Sequence, residues 1–360
     1  MPDTKYSILI LGASYGSLLA SKLILAGHDV TMICLPEEAD LVNAKGIRVH
    51  IPVRGRDGLV EIDSRNASGS VKAAGPGDVD PKDYDLIALA MQEPQYRSSG
   101  VRELLDAVAI SDIPVMSIMN MPPLPYLKRI PTIQPVNVDT CYADPSVWAN
   151  FDPSMITLAS PDPQAFRPLE EPVNVLQVSL PTNFKVARFE SDSHTAILRQ
   201  LEQDILDIKF DPGDGTKVEL PVKLRVHESV FVPLAKWAML CTGNYRCITP
   251  DAARSIKEAV HTDLDASSAI YSWVKNVCVA LGADEGDLVP FEKYANAAQG
   301  LAKPSSAARA LFAGAPNIER VDKLVQMLAA SLDMQSDVLD ETVAMVNALL
   351  ETNRTAANGR

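Results

Sequence analysis

One stretch constrains the fold more than any other: residues 5–33, KYSILILGASYGSLLASKLILAGHDVTMI. Residues 5–12 read as an apolar strand, 16–26 as an apolar-faced helix and 28–34 as a second strand. Gly27-His28 gives the helix the C-terminal glycine that such ends favour. The first strand and the helix are joined by Gly12-Ala13-Ser14-Tyr15-Gly16-Ser17, a turn of small residues. A pyrophosphate can approach a helix N-terminus only where the connecting turn lacks bulky side chains; there the exposed N–H groups and the helix dipole favour negative charge. The stretch therefore reads as the opening of a dinucleotide-binding βαβ unit. Its spelling departs from G-x-G-x-x-G in one of two ways. Either Ser14 and Ser17 replace the second and third glycines, or the turn is one residue short and Gly16 is the third.

The βαβ rhythm continues downstream. DLIALAM (85–91) and IPVMSIMN (113–120) are short buried strands separated by an amphipathic helix over 97–110, which predicts a parallel sheet with crossover helices. Residues 51–82 are poorly patterned and read as a hairpin plus a surface loop. MITLAS (155–160) and VNVLQVSL (173–180) are further strands of the same domain. Residues 191–208 form a capped helix, and 211–228 a turn with a β-like excursion. After Ser229 the pattern becomes almost entirely helical. The chain is thus expected to be an α/β Rossmann domain (1–190), a connecting helix and β-like insertion (191–228), an all-α domain (229–352) and a flexible tail (353–360). Its 360 residues suit two domains.

Composition narrows the function classes. No run of about 18 apolar residues is present and the N-terminus lacks a basic leader region, so neither a membrane span nor a signal peptide is expected. The five scattered cysteines have no zinc-site spacing and read as reduced thiols of a cytoplasmic protein. A formal charge of −13 disfavours nucleic acid or an anionic membrane as partner. An anionic cofactor would need local basic groups or backbone donors.

Several spellings resemble the ketopantoate reductase (2-dehydropantoate 2-reductase) family, whose members pair a Rossmann domain with a 6-phosphogluconate-dehydrogenase-like helical domain. Residues 10–33 match the family's opening, one residue short in the turn. IPVMSIMNMPP places Asn120 on the family's active-site asparagine. LAKWAMLCTGNYRCIT places Lys236 on its catalytic lysine and Asn244 on the asparagine eight residues on. KPSSAARALFAGAPNIERVD places Ser306 on a substrate-binding serine and, one residue displaced, Glu319 on the substrate-binding glutamate. The resemblance implies an NAD(P)H-dependent reductase of a 2-oxo acid, with Lys236 donating the proton that the alkoxide requires. It places cofactor contacts at Gly12, Ala13, Ser14, Tyr15, Gly16, Ser17, Leu35, Gln92 and Asn120. No metal is expected, and the very apolar helices of the helical domain suggest a homodimer.

The residues themselves leave alternatives beside each role. Lys236 is nearly the only charge in an apolar helical stretch, where burial lowers a lysine pKa and aids proton donation, yet such a lysine can also snorkel to solvent. Asn120 falls at the end of a parallel strand, where ligands of such sheets bind, and also suits a turn before Pro122-Pro123. Asn244, at i,i+8 from Lys236, reads as facing the same side of a helix or as a C-cap. Ser305 and Ser306 suit an N-cap, a carboxylate contact or both. Glu319 reads more readily as an exposed helix residue.

Departures from the family are equally specific. Gln92 stands where the family has a lysine, Leu240 where it has an asparagine, and Ala310 where it has an aspartate. These changes point to a related reaction on a different, more apolar 2-oxo acid, or to loss of ketopantoate reduction. No arginine follows the second strand; Leu35-Pro36-Glu37-Glu38 stands there instead. Carboxylates accept from a ribose 2′-hydroxyl and repel a 2′-phosphate, so charge favours NAD over NADP unless Arg48 or Arg54 folds back; Glu37 and Glu38 equally suit the ordinary acids of a helix N-terminus. Two other readings remain: an opine-type or hydroxyacid dehydrogenase of the same architecture, for which His194, His227 and His261 offer no supporting motif, and a non-catalytic nucleotide-binding protein.

Overall fold

The computed structural model describes residues 4–358. The chain divides into two compact units. In chain order the first contains β1 (Ser7–Leu11), α1 (Ala13–Leu25), β2 (Asp29–Ile33), α2 (Pro36–Lys45), β3 (Arg48–Pro52), β4 (Leu59–Asp63), β5 (Ser70–Ala74), β6 (Leu86–Leu89), α3 (Val101–Ala109) and β7 (Val115–Ile118). After the short helix α4 (Leu124–Leu127) come β8 (Ile156–Ser160), β9 (Gln164–Phe166), β10 (Val175–Leu180), β11 (Phe184–Ala187), α5 (Asp192–Leu206) and β12 (Leu224–His227).

Eight strands form the main sheet in the order β12-β11-β8-β7-β6-β1-β2-β5. All its pairs are parallel except β8 with β11. The strands β6 and β7 are buried at every residue, as expected of parallel strands covered on both faces. Because the chain leaves β1 for β2 on one side and returns to β6 on the other, the connectivity reverses beside β1. A second, four-stranded sheet runs β4-β3-β10-β9.

Two expectations for this unit change. Residues 70–74 are not surface loop but strand β5, paired with β2 at the sheet edge. Residues 191–228 are not a connector: Leu198, Leu201 and Ile205 of α5 share a core with Leu18, Leu19 and Leu23 of α1, and β12 extends the main sheet. Apolar spacing marked α5 as a helix but could not say whose core it completes. Conversely, residues 92–94 and 127–146 group with the helical unit.

Packing of α5 and residues 211–223 around α1 buries a charge. Lys22 lies on α1 with only 1% of its surface exposed, and its Nζ donates to Pro221 O at 2.7 Å. Loss of water, with Lys223 adding to it, lowers its pKa to about 7. The neighbouring His28 is also buried; its Nδ1 accepts from Tyr6 N–H at 3.2 Å, and Nε2 faces Asp204 of α5 at 3.2 Å. That leaves the proton of neutral His28 on Nε2. Burial holds the His28 pKa below its ordinary value, against the pull of Asp204.

The helical unit holds α6 (Lys236–Met239), a π turn (Leu240–Asn244), α7 (Ile256–His261), α8 (Leu264–Ala280), α9 (Phe291–Ala298), α10 (Ser306–Phe312), α11 (Val321–Ala330) and α12 (Asp337–Asn358). Residues 353–358, expected to fray, continue α12. Asn353 Nδ2 donates to Leu311 O at 2.8 Å and Ala315 O at 3.0 Å, and Arg354 Nε to Pro316 O at 2.9 Å, so the polar tail sequence is held by backbone carbonyls. Gly359 and Arg360, the rest of that tail, lie outside the described residues. No helix among the described residues is long and apolar enough to cross a membrane.

The buried lysine makes stability depend on pH. Between about pH 7 and 10.5 the unfolded chain keeps a proton on Lys22 that the folded chain has released, so unfolding free energy rises with pH across that window. Below about pH 7 the cost is fully present, on the order of 5 kcal/mol at most. Urea unfolding from pH 7 to 10 should show wild type gaining stability relative to Lys22→Met. Parallel curves for the two proteins would exclude a neutral buried lysine.

Candidate active site

In the α/β unit, the turn after β1 is shaped by close backbone approach. Gly12 has φ +107°, and a Cβ there would lie 2.5 Å from Met91 Cγ and 2.9 Å from Ala90 O, just past the end of β6. Its N–H donates to Ile33 O at 3.0 Å, and Ala90 N–H donates to Leu11 O at 2.8 Å. Helix α1 begins at the next residue, Ala13. A Cβ on Gly16 would meet Ile10 Cγ2 at 2.6 Å, so Gly16 permits close contact between α1 and β1. That is the role of the third glycine in a dinucleotide turn. Of the two spellings, the shortened turn fits.

Among the described residues, no side chain caps the N-terminus of α1. Its N-cap is Gly12, without a capping side chain, and its first turn carries no acid. The first N–H groups and the positive end of the dipole are thus left to attract an anion. Ser14 is exposed, Ala13 is buried, and Ser17 turns inward to donate to Ala13 O. Tyr15 is half-buried, meets Phe184 edge-on at 5.8 Å and donates to Pro163 O at 2.6 Å. Burial first, then the charge of Asp162, raises its pKa well above 10. Leu35, 75% exposed, is the N-cap of α2 after β2, and the half-buried Asn120 lies just beyond β7. Gly12, Leu35 and Asn120 therefore occupy the carboxyl ends of three parallel strands of one sheet, the edge where such folds bind ligands. The residues present fit a dinucleotide.

In the helical unit the sequence expectation of one regular helix from Lys236 to Asn244 fails. Residues 240–244 form a π turn, and Tyr245 N–H donates to Leu240 O at 3.0 Å, an i→i+5 bond. The i,i+8 relation assumed for Lys236 and Asn244 does not hold across it. Lys236 is half-buried, less enclosed than its apolar neighbours suggested. The turn exists because neighbours demand it. A Cβ on Gly243 would lie 2.1 Å from Tyr294 Oη and 2.9 Å from Ile256 Cγ2, while the Tyr294 hydroxyl donates to Met239 O at 3.1 Å.

The π turn ties the other candidates together. Ser305, the N-cap of α10, accepts from Ala308 N–H at 3.1 Å and donates to Asn244 O at 2.7 Å. Ser306 is the first residue of that helix and half-buried. Tyr245, directly after Asn244, donates to Glu319 O at 2.6 Å and accepts from Val321 N–H at 2.9 Å. Glu319 is neither exposed nor helical: it is 7% exposed in the irregular segment before α11. The next residue anchors that segment, Arg320 meeting Asp322 through two 3.0 Å bonds and Asn347 Oδ1 at 2.6 Å.

Sequence reading missed Glu93. The expected contact, Gln92, is exposed, whereas Glu93 is 1% exposed. Its carboxylate accepts from Ala143 N–H at 3.1 and 3.2 Å, and its own N–H donates to Glu319 Oε1 at 3.4 Å. No local pattern distinguishes Glu93 from an exposed acid after a strand; the partners lie 50 and 226 residues away. Leu240, at a position expected to be polar, is 3% exposed. Among the described residues no cluster of histidine, cysteine or acid suits a metal ion.

No protein-family model and no curated sequence matches the chain. Solved structures do match over nearly its whole length. The 2-dehydropantoate 2-reductase of Methylococcus capsulatus superposes with a TM-score of 0.64 at 13% identity, covering 96% of this chain and 97% of the other. D-Mandelate dehydrogenase in ternary complex with NADH and anilino(oxo)acetate gives 0.63 at 14% identity over 97% and 99%. The dimeric ketopantoate reductase of Staphylococcus aureus gives 0.58 at 12% identity over 96% and 99%. The fold of the ketopantoate reductases is therefore the fold of this chain.

Packing around Gly243 can be checked by substitution. Gly243→Ala should destabilise the protein by about 1–3 kcal/mol through overpacking. Tyr294→Phe in that background should restore part of the loss, because it removes the nearest atom; Ile256 keeps the recovery incomplete. Thermal unfolding of the single and double variants measures both effects.

Proposed function

We propose that this chain is an NAD(P)H-dependent reductase that converts a 2-oxo acid to a 2-hydroxy acid. The observation that carries the reading is the α1 N-terminus: Gly12 brings it to the reversal point of the sheet with no capping side chain and no acid. The likeness to ketopantoate reductases and to D-mandelate dehydrogenase supports the same reading. Gly12, Ala13, Ser14, Tyr15, Gly16 and Ser17 would hold the pyrophosphate through backbone donors and close packing. The exposed Leu35 offers apolar surface to the adenosine half. A bound nicotinamide supplies the hydride.

The chain's own part is to place the ketone and deliver a proton. Lys236 donates that proton to the carbonyl oxygen, where negative charge develops. Asn120 and Asn244 orient ketone and lysine by hydrogen bonds. Ser306 and Glu319 hold the polar end of the substrate, with Ser305, Tyr245 and Glu93 fixing their backbone and carboxylate. A homodimer in the soluble cell interior is part of the same reading.

Gln92, Leu240 and Ala310 stand where ketopantoate reductases have polar contacts, which favours a more apolar substrate than ketopantoate. Likeness to a D-mandelate dehydrogenase favours the same refinement, a hydroxyacid dehydrogenase acting on an aromatic 2-oxo acid.

NADH or NADPH at ~100 Kd should stabilise the protein by about 2.7 kcal/mol in a thermal-shift titration. Absence of a shift with both cofactors would remove the reductase reading. Given binding, cofactor oxidation should be fastest with apolar 2-oxo acids. Lys236→Met should then lower kcat by about 10²–10⁴-fold while leaving cofactor affinity unchanged.

A further inference from the structure

No arginine follows β2 in sequence, and Arg48 pairs instead with Glu61 at 3.7 Å and Glu171 at 3.6 Å. Yet a cation does reach the start of α2, from within the same unit. The chain leaving β9, the edge strand of the second sheet, carries Arg167, whose Nη2 is hydrogen-bonded to Oε1 of Glu38 in the first turn of α2. Arg167 is 28% and Glu38 12% exposed, so the pair is sheltered but reachable.

The segment that delivers Arg167 is held along its length. Lys185 pairs with Asp162 at 3.1 Å, and Tyr15, in the first turn of α1, donates to Pro163 O at 2.6 Å. Residues 162–167 thus touch the first turns of both helices that follow β1 and β2. The half-buried Cys34 just beyond β2 registers the pair: burial first, then the Glu38 charge, pushes its thiol up to about 11, with Arg167 opposing.

We propose that the Arg167–Glu38 ion pair sets the choice between NADH and NADPH, an inference that rests on the reductase reading above. While the pair is closed, the Arg167 charge is satisfied and Glu38 Oε2 keeps acceptor capacity for a ribose hydroxyl. Glu37, exposed on the same turn, adds negative charge that repels a 2′-phosphate. Arg167 is a latent phosphate ligand, because its planar fork suits two phosphate oxygens once Glu38 no longer claims it. The wild type therefore prefers NADH, and removing one negative charge is enough to turn the site towards NADPH.

Fluorescence titration gives Kd for NADH and NADPH with wild type, Glu38→Gln, and Glu38→Gln combined with Arg167→Met. Wild type should bind NADH about tenfold or more tighter than NADPH, and Glu38→Gln should move that ratio at least about tenfold towards NADPH. Adding Arg167→Met should cancel the move. Should the double variant not fold, Arg167→Lys in its place keeps the charge, loses the fork and should cancel most of it. Tighter NADPH binding by wild type, an equal change for both cofactors in Glu38→Gln, or a shift that survives loss of Arg167 overturns the inference while leaving the reductase reading intact. Failure to bind either cofactor removes that reading, and this inference with it.

Discussion

Strands β1 and β6 end so close together that position 12 has no room for a side chain. The carbonyl of Ala90 and the side chain of Met91 occupy the space a Cβ would need, and the backbone leaves with positive φ. Only glycine accepts both conditions at little cost. From that one constraint follow the start of α1 at Ala13, its N-terminus without a capping side chain, and the close seating of Gly16 on Ile10. The proposed cofactor site is a consequence of how two strands stop.

The helical unit has a comparable pivot in the π turn at 240–244. The Tyr294 hydroxyl takes the Met239 carbonyl, Gly243 makes room for that hydroxyl, and Tyr245 and Ser305 carry the register out to Glu319 and α10. Local departures from α geometry often mark functional sites, because they aim side chains in directions that a regular helix forbids. Here the departure lies between the two residues, Lys236 and Asn244, to which the family resemblance assigns chemistry.

Burial of ionisable groups in the α/β unit follows from the way α5 and residues 211–228 wrap α1. Lys22 trades its hydration for one carbonyl, and His28 is locked into one tautomer by a backbone N–H and an aspartate. Such groups cost stability, and they make the wrapping specific: only the chain path that brings Pro221 O to Lys22 and Asp204 beside His28 offsets part of that cost. Arg167 is delivered by an earlier part of the chain, the segment that leaves β9. It lies 129 residues from Glu38 and meets it because β9 ends beside α2.

The sequence by itself determined the βαβ opening, the buried parallel strands and the change to helices after residue 229, because these depend on local periodicity and short spellings. It could not choose between the two readings of the glycine turn, since the choice rests on what Gly12 and Gly16 meet across the sheet. Nor did it show the second sheet, the membership of α5 in the first core, the π turn, or the burial of Lys22, Glu93 and Glu319. Each of these is decided by partners tens to hundreds of residues away, and a charge has the same spelling whether water or a distant carbonyl satisfies it. The tertiary structure alone supplied those partners, and with them an arginine at the start of α2 that comes from 129 residues further along the chain.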